Sequence, residues 1–498
     1  MATSLEPKQI RNLGTYGVIR ETSVDSNLIP DGGVTDAINF HFDRIGAASV
    51  RPGIASLGGT VLASRPCVGL HNAQSGTAIA VFSNGSSATI YTLSAGAWAV
   101  SLDGGTASVA VRFVDFGSYT IALNFMYNTY TSMRFWNAGS SRHWHHTGRP
   151  INPQNMWGYS YQYGEVYKSR VYLFSDHAPG GSGLVAGNKS RLAFSSIISA
   201  TGWITWSPAT DYVDINPGDG EDGSGLRRYS LELLCFKPNY IYRFKTTTVD
   251  PDPLVKVGTR SNESIVEGKK GLYFHHDSGF YRYSGGYPIE VSRPIADIVD
   301  AIPLTQRSQI VGWSDSDHIH WSIGTVTVND TRESITYKNC VVRYTESSEV
   351  WTIYSYNSDI RRGMVYNSGT TLTRVVGNDM GSIATYNSGN TDLGEPIKYR
   401  LRTKWYDWGT LATTKIIEEL CAICEKAQAS ELMYKVDESI DWKSIGQLKT
   451  FANFFDKLSI KNKRIKFQLA GISRFDAPVF LGIDIVKGTD LGIARELT

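Results

Sequence analysis

Between about Val61 and Asn387 the apolar residues fall in short runs that alternate with polar ones, and each run ends in a glycine-rich or Asn/Ser-rich turn. That period-two pattern predicts β-strands rather than helices. Two stretches, Ile215 to Phe244 and Gly271 to Pro288, share one plan: an acidic-glycine turn, an apolar strand, a tight turn and an aromatic strand. In the second, Asp277, Ser278 and Gly279 separate Leu272 to His275 from Phe280 to Tyr283, which predicts a hairpin of aromatic strands. A lone hairpin is marginal in water, so its apolar faces need neighbours, and repetition supplies them. Trp98, Trp144, Trp206 and Trp351 mark the phase of the repeat, the first two about one four-stranded blade apart (~40 to 45 residues). The pattern predicts a β-propeller of roughly six blades, at about 61–105, 106–155, 160–210, 211–257, 258–306 and 307–355. Met364 to Asn387 has the same texture and reads either as a seventh partial blade or as a strand pair that closes the ring.

After Gly394 glycine thins out, lysine rises and the strands lengthen, as in Ile397 to Trp408 and Arg464 to Ser473. Val479, Leu481, Ile483 and Ile485 alternate with Phe480, Gly482 and Asp484, as a sandwich strand would. Thr414 to Ala427 fits a helical stripe through Ile416, Leu420, Ile423 and Ala427, but its β neighbours favour a strand. The expected fold is therefore all-β. It has an N-terminal arm and entry hairpin (1–60), a propeller (61–390) and a C-terminal β-sandwich-like platform (391–498).

At 498 residues the chain exceeds the roughly 250 to 300 over which one core keeps growing. Its 27 Tyr, 19 Phe, 12 Trp and 48 Gly suit an all-β chain with many tight turns. Lys and Arg number 49 against 47 Asp and Glu, so no bulk field draws the chain onto phosphate or anionic lipid. The five cysteines, Cys67, Cys235, Cys340, Cys421 and Cys424, are too sparse for a disulfide scaffold and fit a reducing site of synthesis. The N-terminal stretch lacks the apolar run of a signal peptide, and nowhere do about 18 apolar residues run together. A soluble protein with no export signal is expected; sequons such as Asn84 with Ser86 or Asn262 with Ser264 would matter only on a secretory route.

Candidate chemistry is thin. Gly218, Gly220 and Gly223 have the G-x-G-x-x-G spacing, but Asp219, Glu221 and Asp222 would repel a phosphate and the following segment is strand-like. Asp214, Asn216, Asp219 and Asp222 offer hard oxygens for calcium, yet their spacing departs from the Ca-loop pattern, so a plain turn is expected. Cys421 and Cys424 form one C-x-x-C without a second ligand pair, which reads as buried small residues. His143, His145 and His146 cluster around Trp144; His318 and His320 stand at strand spacing on one face and could ligate a metal, but with no acidic or histidine partner at metal spacing they are read as a polar surface. Ser199 to Trp206 is a degraded Asp-box, with Thr201 in place of the Asp. Lys457, Lys461, Lys463, Arg464 and Lys466 form the only basic run, explained by a solvated turn and strand face, with phosphate contact left open. No catalytic, cofactor-binding or metal-ligating residue is assigned, and no enzymatic activity is expected.

Taken in order, three regions resemble the tail hub, or nozzle, proteins of short-tailed bacteriophages, the family that includes the packaged-DNA stabilization proteins. Asn39 to Gly53 (NFHFDRIGAASVRPG) resembles their opening, with an Asn, a strand, a D-x-x-G turn and an Arg-Pro-Gly entry to the propeller. Ile215 to Phe244 and Gly271 to Asp300 resemble their acidic-turn blade and the blade that follows a display hairpin with P-I and I-x-x-I. Arg464 to Val486 resembles their closing strand pair.

The resemblance implies a structural virion protein in the tail, assembled in the host bacterial cytoplasm. It implies a homo-hexameric ring below the portal and its tail adaptor protein, extending the DNA channel and retaining the packaged genome. It also implies that the ring carries tail fibre, spike or needle proteins and lets double-stranded DNA pass without sequence-specific binding or membrane insertion. The near-balanced charge suits such a wall, since each neutralised phosphate would hold the DNA back, and a bore lined by polar and acidic groups rather than lysines is expected. The alternative is a carbohydrate-binding or glycan-acting propeller, which needs exposed aromatics and paired carboxylates converging on the central channel. A third reading is a cytoplasmic scaffold propeller that binds peptides.

Overall fold

The structure is a computed structural model that describes residues 3–20, 28–59, 64–94, 96–107, 110–117, 119–125, 133–136, 144–145, 160–177, 187–198, 204–207, 210–245, 248–249, 254–329, 333–367, 371–408, 411–437, 439–474 and 477–491. Its strands follow one another in antiparallel groups of four. Blade one is Cys67–Asn72, Ala78–Ser83, Ala88–Ser94 and Ala97–Gly105; blade two is Arg112–Phe116, Tyr119–Leu123, Met133–Trp136 and Trp144–His145. Blade three is Tyr161–Tyr167, Arg170–Asp176, Arg191–Phe194 and Tyr212–Asp214; blade four is Gly225–Tyr229, Glu232–Phe236, Ile241–Lys245 and Thr248–Val249. Blade five is Val266–Glu267, Leu272–His276, Gly279–Tyr283 and Ile289–Glu290; blade six is Val311–Asp315, His318–Asn329, Ser334–Thr345 and Val350–Ser355.

Of the two readings of Met364 to Asn387, the structure shows a seventh blade in addition to the roughly six expected. Ile360–Asn367, Leu372–Asn378 and Ile383–Tyr386 supply three strands, and the fourth comes from the start of the chain, where Ile54–Ser56 lies antiparallel to Ile383–Tyr386. The first strands of blades six, seven and one touch in turn, which closes the ring. Gly377 makes that closure tight, because a Cβ there would lie 2.5 Å from the Cys67 sulfur of blade one.

The second strand of a blade is covered on both faces, so Ala78–Ser83 is buried at every position and reads as a continuous apolar run. Aromatic edges interlock between blades: Tyr172 with Phe244 at 5.5 Å, Phe236 with Phe274 at 5.4 Å and Phe280 with Trp321 at 4.4 Å. Trp98 and Trp351 sit on outermost strands and donate to backbone, Trp98 Nε1 to the Leu57 carbonyl (2.9 Å) and Trp351 Nε1 to the Val291 carbonyl (2.8 Å).

The rest of the chain forms two facing sheets. In one, Lys415–Lys426 pairs with Val479–Asp490 on one side and with Phe451–Phe455 and Ile460–Asn462 on the other. In the other, Glu395–Thr403 pairs with Ile465–Ser473, which pairs with Glu431–Val436 and so reaches Lys443–Gln447 at the edge. Lys415–Lys426 is a strand and not a helix, with Leu420, Ala422 and Cys424 turned into the shared core.

This second body is not drawn from residues 391–498 alone. Thr3–Ser4 and Lys8–Arg11 pair with Val479–Asp490, Phe40–His41 and Ala48–Val50 extend the same sheet, and Val34–Ile38 pairs with Glu395–Thr403. The residues expected to form an arm are therefore strands of the sandwich and the last strand of the ring. One apolar cluster runs from Phe40 and Tyr399 in the sandwich to Trp351, Trp321 and Phe280 in blades six and five.

Buried charge fixes the junction. Asn39 adopts a left-handed conformation (φ 63°). Its Oδ1 accepts from Arg51 Nε and the Ser355 N–H (2.8 Å each), while its Nδ2 donates to the Lys398 carbonyl (2.7 Å). Arg51 is fully buried, forks onto Asp392 at 2.9 and 2.6 Å, donates to the Ser355 carbonyl (3.0 Å) and lies 3.9 Å from the Tyr356 ring centroid. Gly53 is required beside it, since a Cβ would lie 1.9 Å from the Thr391 carbonyl oxygen. Nearby, Asp36 accepts from Tyr337 Oη (2.8 Å) and Arg400 Nε (2.9 Å), and Arg20 Nε reaches Asp297 (2.9 Å).

Arg51→Met keeps the bulk but leaves the Asp392 carboxylate buried and unpaired. It is expected to destabilise the fold by about 3–5 kcal/mol. The shift of the urea unfolding midpoint measures this, and the double variant Arg51→Met/Asp392→Leu is expected to recover much of the loss.

Candidate functional site

A propeller carries its chemistry where the inner strands converge, and here that region is crossed by an ion pair. Arg112, on the first strand of blade two, reaches Glu263 at the entry to blade five, Nε to Oε1 at 2.5 Å and Nη2 to Oε2 at 3.0 Å. Arg112 Nη1 also donates to the Gln162 carbonyl of blade three (3.2 Å), and its guanidinium lies 4.5 Å from the Tyr163 ring centroid. The neighbours of Glu263 tie further blades: Asn262 Oδ1 accepts from the Leu226 N–H of blade four (3.0 Å), and Ser261 Oγ donates to the Ile310 carbonyl before blade six (2.7 Å). Arg362 of blade seven donates to the Val68 carbonyl of blade one (2.9 Å). Blades two to six are thus tied to Glu263 or to its neighbours, and blades seven and one to each other.

The electrostatics follow from burial. Burial alone would raise the pKa of Glu263, but Arg112 and Arg362 outweigh it and bring it down to about 2. Burial lowers the pKa of Arg362 from its ordinary value, against the pull of Glu263. Glu263 is therefore a fixed counter-ion and not a proton donor. A glycan-acting centre needs carboxylates free to act as a pair; the one placed here is ion-paired to Arg112 and held ionised by Arg112 and the charge of Arg362.

The residues singled out by the sequence fall elsewhere. The Gly218 to Gly223 segment is a turn whose carboxylates are paired: Asp219 accepts from Lys237 Nζ and Tyr242 Oη (2.7 Å each), Asp222 from Lys189 (2.8 Å), and Asp214 from Arg191 (2.9 Å). Cys421 and Cys424 are buried in the sandwich, where burial pushes the Cys424 thiol up to about 12. His318 and His320 share a face, but only His318 borders solvent, which corrects the reading of a polar surface. His320 is buried, stacked on Trp313 at 5.2 Å, with Nδ1 against Tyr386 Oη (3.1 Å).

His318 lines a crevice of about 540 Å3 between the ring and the loop carrying Phe42, Asp43, Arg44 and Ile45. Burial and the nearby Arg343, which reaches Asp43 at 2.6 Å, hold its pKa near 4, so the imidazole is neutral. His143, His146 and the Ser199 to Gly202 part of the degraded Asp-box lie outside the described residues. In the basic run, Arg464 and Lys466 rest on the Trp405 ring, at 4.8 and 5.8 Å from its centroid, while Lys457, Lys461 and Lys463 are exposed.

The axial residues escaped the sequence reading. Arg112 and Glu263 are 151 positions apart, and Asn262 with Ser264 looked only like a sequon.

Because the folded pKa of Glu263 lies below its ordinary 4.5, its contribution to stability is complete above pH 4.5 and is lost as pH falls toward 2. Glu263→Gln is expected to lower stability at pH 7 by on the order of 3 kcal/mol. The gap to the parent should narrow when urea unfolding is repeated near pH 3.

No protein-family model matches the chain, and no curated protein matches it. Among solved structures, a chain of the mitotic checkpoint complex aligns at 8% identity over 68% of this chain and 94% of that one, with a TM-score of 0.39. Sqt1 of Saccharomyces cerevisiae aligns at 9% identity over 68% of this chain and 100% of that one, TM-score 0.38. YCF48 from Cyanidioschyzon merolae aligns at 8% over 67% and 98%, TM-score 0.39. These scores are too low to argue from, and the seven-bladed β-propeller rests on the strand order and the packing between blades.

Proposed function

We propose that the chain is a structural subunit of a short-tailed phage tail. Copies of it form a homo-hexameric ring beneath the portal and adaptor, extend the DNA channel, help retain the packaged genome and carry distal tail parts. The observation that supports this most directly is the junction clamp. Arg51, Asp392, Asn39, Asp36 and Arg20 bind ring and sandwich together over a continuous apolar core, and an interface of that kind does not hinge. Such a wedge suits a wall that must hold its shape under pressure. The opening motif Asn39 to Gly53, on which part of the family resemblance rests, supplies two of the clamp's members, Asn39 and Arg51, together with Gly53 beside them.

The ion pair across the propeller axis adds a constraint to this reading. DNA does not thread the propeller; it passes through the bore enclosed by the ring of copies, and each propeller is part of the wall. The residues on that bore are polar and acidic, so that the duplex slides without being held by counterion release.

Purified chain mixed with portal and adaptor is expected to form a sixfold ring in electron micrographs, and the chain is expected among the proteins of purified virions by mass spectrometry. A chain that stays single in the presence of portal and adaptor and is missing from virions overturns the proposal.

A further inference from the structure

The lysine-rich edge of the sandwich carries a feature that a tube wall does not need. Phe451–Phe455 is the outer strand of its sheet, and Phe451 and Phe454 are each 74% exposed. Phe451 also holds a left-handed backbone (φ 73°), a strained conformation for a bulky L-residue. Asn453 maintains it: its Nδ2 donates to the carbonyls of Lys449 (2.7 Å) and Phe451 (3.0 Å), and its Oδ1 accepts from the Lys449 N–H (2.6 Å). Phe455 packs over Gly446, where a Cβ would lie 2.7 Å from its ring, so the two sheet edges meet at this strand.

Lys443, Lys449, Lys457, Lys461 and Lys463 flank this strand along the chain, all exposed and none in an ion pair among the described residues, against one acidic residue, Asp456, between positions 443 and 463. Ile460–Asn462 continues the same edge beside Lys415–Lys426, so Lys461 follows Phe454 along one border. Lysines alone are a common guard on a free strand edge. A guard explains neither two phenylalanines in water nor a backbone strained to present one of them.

We propose that this edge binds single-stranded nucleic acid. The lysines meet the phosphates, and unstacked bases lie on Phe451 and Phe454, the pairing of cationic track and aromatic platform that single strands require. A duplex keeps its bases stacked inside and can use only the lysines. The site belongs to one chain and needs no ring, so it stands or falls independently of the tail reading.

The test uses the full-length chain and labelled oligothymidylate, followed by fluorescence anisotropy from low to moderate salt. Phe454→Ala is expected to weaken binding about tenfold or more. Lys457→Gln and Lys461→Gln should each flatten the slope of log affinity against log salt by about 0.7. Phe451→Asn, which suits the left-handed backbone, should raise the melting temperature while weakening binding, a pair of effects that a merely structural phenylalanine would not give. Thermal unfolding of every variant controls for folding. Absence of binding at low salt, binding indifferent to both phenylalanine replacements, or equal binding of duplex DNA or heparin, as a plain cationic surface or an acidic-protein dock would give, overturns the proposal.

Discussion

The buried guanidinium of Arg51 is the contact on which the arrangement of the whole molecule turns. It is fully enclosed, and its donors go to Asp392, to Asn39, to the Pro52 carbonyl and to the Ser355 carbonyl at the end of blade six. A charge in that position is tolerated only when nearly every donor is met, because an ion taken out of water without partners costs several kcal/mol. The partners come from three distant parts of the chain, so the guanidinium is satisfied only when the sandwich, blade six and the strand leaving blade seven are in register together. The Asp36 cluster repeats the device a few residues away, with Arg400, Arg20 and Tyr337. Apolar packing makes the junction stable; the charges make it a single geometry.

The axis uses the same logic for another purpose. Where other propellers keep an open channel or a site, this chain brings Arg112, Glu263 and Arg362 together, ties blades two to six to Glu263 or to its neighbours, and ties blades seven and one to each other. The carboxylate is held ionised by its neighbours, so it cannot exchange protons near neutrality. Junction and axis are both closed by internal ion pairs, which leaves the outer surfaces as the part of the molecule not committed to its own fold. One such outer border exposes Phe451 and Phe454.

Much of the fold could be read in the chain because blades repeat. The Leu272 to Tyr283 hairpin, the strand at Lys415–Lys426 and the outer-strand positions of Trp98 and Trp351 all follow from local alternation and turn residues. Two things were not local. The seventh blade takes its last strand from Ile54–Ser56, which no repeat period connects to Ile383–Tyr386. The second body takes strands from both ends, and a pattern of alternation names a strand without naming its partner. The candidate site was less legible still. Arg112 and Glu263 look like ordinary charged residues in their own segments, and Phe451 alternates with Asn453 and Phe455 as an inward residue would until its left-handed backbone turns it out.

Pairing the first strands with the last has a consequence for how such a chain is made. Thr3–Ser4 pairs with Thr489 and Asp490, and Ile54–Ser56 waits for residues 384–386. On the ribosome these early strands emerge with unsatisfied edges and stay so until residues 384–386 and 489–490 have been made, since blades one to six can stack behind them but neither body can close. Contacts this remote in sequence are slow to form, and open edges in the interval invite pairing between nascent chains. The interval between the birth of the first strand and that of its partner is therefore when the molecule most needs a chaperone.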